Sequence, residues 1–172
     1  GAVLMQIDTA TRRNLELVRN LSGERRGSLL ASVDRTVTAG GARLLDRRLS
    51  GPLTDLNTIC GRHASVAFFV TERPVRDEIR ASLRQCPDLE RAVSRLSLDR
   101  GGPRDLAAVR DGLAQAARIA GELAEADCPA PVAAARDALL GHEELARLLE
   151  TALVAQPPVQ LRDGGTVAAG FD

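Results

Sequence analysis

The chain has 172 residues, 44% hydrophobic and 27% charged, with formal charge balanced to zero and only 2% aromatic residues. All 23 basic residues are arginine, so the lysine of a GxxxxGK[ST] phosphate loop and a Schiff-base lysine are both excluded. Zero net charge gives no long-range pull toward nucleic acid, and Phe68, Phe69 and Phe171 are too few to build a base-stacking platform.

A core without aromatics must come from Leu, Val, Ile and Ala. With Ala, Leu, Arg and Glu leading the helix-propensity order, the expectation is an all-α fold of about one domain. Cys60, Cys86 and Cys128 are odd in number and form no CxxC pair, which fits reduced thiols in a cytoplasmic protein. No apolar run reaches the ~18 residues of a membrane span, and no cleavable secretory signal is visible.

Gly1 to Val18 opens the chain, and the alternation of Leu15, Glu16 and Leu17 predicts a half-buried strand, with a helix start at Asp8 or Thr9 as the competing reading. Asn20 to Gly27 reads as a polar loop. Gly27 to Leu53 is the stretch around which the rest is expected to pack. It has a short apolar turn (Leu29, Leu30, Val33), a polar break at Asp34-Arg35-Thr36, and a helix carrying Leu44, Leu45 and Leu49 inward until Gly51-Pro52 stops it.

Thr54 is placed to cap a helix whose apolar face reads Leu56, Ile59, Cys60, His63, Ala67 and Val70. Pro74 restarts helix at its favoured first position, with Val75, Ile79 and Leu83 inward. After the break at Pro87-Asp88, Leu89, Val93 and Leu96 carry a short segment. Gly101-Gly102-Pro103 then resets the chain for a long stripe of Leu106, Val109, Leu113, Ala116, Ala120 and Leu123. Cys128 to Pro131 interrupts it. Val132 to Leu140 follows and ends at Gly141, and His142 to Val154 presents Leu145, Leu148, Leu149 and Leu153. Gln156-Pro157-Pro158 ends helical structure, and Asp163-Gly164-Gly165 predicts a hairpin turn between short apolar runs.

No set of residues assembles a reaction centre. His63 and His142 lack metal-ligand spacing and read as packing or surface histidines. Cys60 beside His63 on one helical face has the types of a nucleophile and base but no orienting third group. Arg76, Arg80 and Arg84, continued by Arg91 and Arg95, form a basic stripe that Asp77, Glu78 and Glu90 balance as a solvated face. A phosphate or acidic-partner contact is the functional alternative. The Asp163-Gly164-Gly165 turn could offer amides to an anion, but a plain turn is the simpler reading. Catalytic, cofactor-binding and metal-binding residues are therefore expected to be absent.

Several stretches nevertheless resemble one family. M-Q-I-D-x-x-T-R-R-N-L-E-L (Met5 to Leu17) is similar to the opening of the core, or lever, domain of MutS-type mismatch-recognition ATPases. So are G-S-L-L-x-x-x-D-R-T-V-T-A-x-G-x-R-L-L (Gly27 to Leu45) and Pro52-Leu53. D-L-E-R (Asp88 to Arg91), P-R-D-L (Pro103 to Leu106) with Arg110, and R-D-G-G-x-x-A-x-G-x-D (Arg162 to Asp172) continue in the family's order.

The resemblance implies a mainly α, multi-helix core domain over residues 1–172, with a small β element near the two chain ends. It also implies a dimeric parent that reads mismatched duplex DNA with an N-terminal Phe-x-Glu wedge, hydrolyses ATP with Mg in a C-terminal domain, and works with a MutL-type partner. None of those working parts lies in this sequence, so the chain is expected to be a piece of that parent, with neither cofactor nor catalysis of its own. Arg12, Arg13, Asn14, Glu16, Asp34, Arg35 and Arg43 are the candidate polar hub, because such groups set beside apolar ones need partners. Kept beside this reading are a paralogue acting in recombination, a free-standing helical adaptor and, weakest, a small hydrolase using Cys60 and His63.

Overall fold

The computed structural model describes residues 4–171. Nine α-helices are found among the described residues, and the chain divides into two compact units, Gly1–Ala67 and Phe68–Asp172, with the boundary inside the fourth helix.

In the first unit, α1 (Thr9–Asn14), α2 (Leu29–Val33) and α3 (Ala39–Ser50) each begin at a short polar side chain that accepts an orphan amide of the first turn. Asp8 accepts from the Thr11 amide at 2.9 Å, Ser28 from that of Ala31 at 3.2 Å, and Thr38 from that of Gly41 at 3.0 Å. The expected strand at Leu15 to Leu17 is absent. Leu15 instead closes α1, and Glu16 turns back with φ +48°, a left-handed conformation that no extended strand accommodates. The Asp8 cap thus outweighs a period-2 pattern only three residues long.

The segment Leu29, Leu30 and Val33 is α2, with Leu30 buried, and the helix carrying Leu44, Leu45 and Leu49 is α3. Leu44 is exposed rather than inward. Gly51 ends α3 as expected, its amide donating to the Arg47 carbonyl. The following helix, α4 (Leu56–Thr71), begins after Asp55, one residue beyond the expected cap at Thr54: the Asp55 carboxylate accepts from the Thr58 amide at 2.8 Å and the Thr58 hydroxyl at 2.6 Å.

In the second unit, α7 (Pro103–Glu122) is the axis against which α5 (Arg73–Gln85), α6 (Leu89–Ser97), α8 (Ala130–Asp137) and α9 (Glu143–Ala152) pack. Ile79, Ile119, Leu123 and Val132 form the buried cluster, with Phe68, Phe69, Val75 and Leu83 against it. The two phenylalanine rings meet edge to face, 5.0 Å apart. Prolines 74 and 103 sit in first turns and Gly141 turns the chain left-handed after α8, as the punctuation predicts. Val93, expected inward on α6, is exposed, and Ala92 is buried in its stead.

The small β element is not formed as strands. Among the described residues, pairing is confined to two isolated antiparallel bridges, Leu4 with Leu53 and Leu153 with Val167. The predicted hairpin fails for a local reason. Leu161–Asp163 coils into a 3₁₀ turn, where the Asp163 and Gly164 amides donate to the carbonyls of Gln160 and Leu161. Val167 therefore pairs with Leu153, at the end of α9, and not across the Gly164-Gly165 turn.

Candidate functional site

The candidate hub lies wholly in the first unit. Its two halves are joined through backbone: the amides of Leu29 and Leu30, at the start of α2, donate to the carbonyls of Glu16 and Leu17, each at 2.9 Å. The reversal at Glu16 makes this possible, since it turns those carbonyls back toward α2.

Around this joint the predicted residues separate into two groups. Glu16 accepts from the Leu21 amide at 2.7 Å, and Arg13 reaches the Leu21 carbonyl at 3.5 Å. Arg12 donates to the Ser50 carbonyl, tying α1 to the last residue of α3. Asn14 ends α1 and is exposed.

Asp34, the C-cap of α2, accepts from the amide of Thr36 at 2.9 Å and its hydroxyl at 2.7 Å, and it is ion-paired with Arg25. The Thr36 amide, then the Thr36 hydroxyl and Arg25, hold the Asp34 carboxyl below the usual carboxylate range. Arg35 donates to the Asp34 carbonyl at 2.9 Å, and Arg43 is half-buried on α3.

Sequence reasoning passed over Arg25 and Asn20. Arg25-Arg26 is a short basic pair like many others, and its partner Asp34 lies nine residues on. Asn20 organises the loop. Its side chain accepts from the Glu24 amide and donates to the Arg26 carbonyl, both at 2.9 Å, while Gly23 and Gly27 supply left-handed turns. An Asn three residues before a glycine is the one local signal for this. The polar loop is thus a bonded element. With α1 it walls an open cleft of about 450 Å³, flanked by Arg12, Arg13 and Arg19 over Val18 and Leu21.

The model of the family described as MutS domain III matches residues 10–169. The chain belongs to the MutS domain III family. It is 58% identical over 168 residues to a protein named DNA mismatch repair protein MutS in Cereibacter sphaeroides. Proteins of the same name in Paracoccus denitrificans and Ruegeria pomeroyi are 56% and 55% identical over 168 and 169 residues. Each match takes in 98% of this chain and 19% of the relative, so the chain spans about a fifth of the length of the curated relatives it matches.

The second unit of this MutS domain III chain has polar ties of its own. Arg110 on α7, in the motif that opens with Pro103, donates to the carbonyls of Val154 and Ala155 at 3.0 and 3.2 Å and so clamps the chain leaving α9. Buried Ser82 on α5 donates to Glu122 on α7 at 2.6 Å. In the arginine stripe, Arg76 pairs with neighbouring Asp77, but Arg95 crosses to Asp105 on α7 at 3.1 Å, a partner the local pattern did not name. Cys60 and His63 are both exposed on α4, and His142 is exposed at the start of α9. Burial pushes the Cys86 thiol up, which favours its protonated form.

Proposed function

We propose that this domain III chain is the helical core, or lever, body of a DNA mismatch-recognition ATPase, linking mismatch binding to ATP-driven clamp formation elsewhere in the parent. The observation that carries the reading is relatedness across 98% of the chain to proteins named for DNA mismatch repair. Coupling between distant sites needs packed, hydrogen-bonded elements with discrete arrangements. The joint of α1, the Asn20 loop and α2 supplies bonds of that kind, with Glu16, Asn20 and Asp34 each satisfying backbone donors.

The chain has no lysine to serve a phosphate loop. ATP and Mg are proposed to bind other domains of the parent, as is mismatched duplex DNA. The parent is proposed to act as a cytoplasmic homodimer with a MutL-type partner. No described helix is long and apolar enough to cross a membrane.

In the full-length parent, Arg13→Ala and Asp34→Ala are expected to weaken the coupling of mismatch binding to nucleotide exchange by about 0.5–2 kcal/mol. Mismatch-stimulated exchange and melting both unchanged in the two variants would refute the coupling role.

A further inference from the structure

The open cleft between α1 and the Asn20 loop carries charge of one sign only. Arg12, Arg13 and Arg19 line it, and none of its lining residues is acidic. Each guanidinium is anchored to a main-chain carbonyl: Arg12 to that of Ser50, Arg13 to that of Leu21 at 3.5 Å, and Arg19 to that of Gly23 at 2.8 Å. Among the described residues none of the three is ion-paired with a carboxylate. A neutral carbonyl steadies the planar fork without cancelling its charge, so most of its donors are left for an anion. Residues 1–67 also hold ten of the 23 arginines but only six of the 23 acidic residues, so the unit bearing the cleft is basic although the whole chain is neutral.

The floor of the cleft is apolar, with Val18 half-buried and Leu21 58% exposed. A ligand that fills it must therefore bring negative charge and an apolar group together. Nucleic acid brings the charge, but the first unit has no Phe, Tyr or Trp on which a base could stack. A bare phosphate would leave Leu21 facing water.

We propose that the cleft docks a short acidic segment of a second protein, one with carboxylates on either side of an aliphatic residue. The carboxylates meet Arg13 and Arg19 through two-pronged, charge-assisted hydrogen bonds, and the aliphatic side chain covers Val18 and Leu21. Arginine clusters that read acidic motifs recognise their partners in this way. A volume of about 450 Å³ is that of a small-ligand site, room for a few peptide residues and not for a folded domain. Docking is separable from coupling. Arg19 and Leu21 are not among the candidate hub residues, and peptide binding is read out whether or not Arg13→Ala and Asp34→Ala alter nucleotide exchange.

The test titrates the purified full-length parent against a fluorescein-labelled peptide, Glu-Asp-Leu-Asp-Glu, followed by fluorescence anisotropy. Binding is expected with a Kd of about 10–100 μM at low salt, weakening as salt is added. The neutral peptide Gln-Asn-Leu-Asn-Gln should not bind. Arg19→Gln should weaken binding about fivefold, the scale of an exposed ion pair, and Leu21→Ser about threefold. Both positions are exposed, so neither change threatens the fold. No binding at about 1 mM peptide would overturn the proposal and leave the cleft to a segment of the parent itself. An affinity unchanged by Arg19→Gln and by Leu21→Ser would overturn it as well. So would displacement of the peptide by an equal concentration of inorganic phosphate, which would assign the cleft to a simple oxyanion.

Discussion

Asp34 gathers several ties of the first unit: its backbone amide closes α2 on the Leu30 carbonyl, and its carboxylate holds Thr36 twice and meets Arg25. Its folded pKa is lowered, chiefly by the Thr36 amide, so its contribution to stability is fully present above the unfolded value of ~3.9 and is lost as pH falls through the lower folded value. Asp34→Asn should therefore flatten the acid side of the stability profile. An NMR titration of the Asp34 carboxyl with a midpoint at or above the ordinary value would sink this account.

Arg110 makes the corresponding case in the second unit. Its side chain is 16% exposed, and it holds two carbonyls that follow α9. Truncation to Ala leaves both in want of a donor, one of them at the surface, and should cost about 1–2 kcal/mol in urea unfolding. Arg110→Met keeps the stem and isolates the hydrogen bonds; equal midpoints for Met and wild type would show that the guanidinium does not matter.

At the scale of elements, close packing of α6 on α7 depends on one missing side chain. A Cβ on buried Gly112 would stand 2.4 Å from Leu89 Cδ2 and 2.6 Å from its Cγ. Gly112→Ala gains up to ~1 kcal/mol in helix propensity and loses ~1–3 in overpacking, so the expected outcome is net destabilisation. The loss should shrink in a Leu89→Ala background; a coupling energy near zero in that double-mutant cycle would rule out the contact as its cause.

Helix starts and stops were legible in the sequence because they are local. Pro74, Pro103, Gly51 and Gly141 act through their own backbone, whatever surrounds them. The strand expected at Leu15 to Leu17 and the hairpin expected at Asp163 do not form because the end of α1 takes the Leu15 and Glu16 amides, which donate to the Thr11 and Arg13 carbonyls, and a 3₁₀ turn takes those of Asp163 and Gly164. The apolar face read for α4 did not translate into burial: Leu56, His63 and Val70 are all exposed.

For the whole molecule, the three cysteines are free, so reductant should leave both mass and melting unchanged; a two-dalton difference between oxidised and reduced samples would contradict this. Composition and punctuation by themselves determined a helical, lysine-free chain, and the order of its motifs determined its kinship. Both depend on bonds between residues a few positions apart and on which side chains are present. Tertiary structure alone decided that Asp34 meets Arg25, that Arg95 reaches Asp105, and that Arg110 holds the end of α9. Such facts depend on which distant segment arrives alongside, and an isolated periodicity, however regular, contains no term for its neighbour.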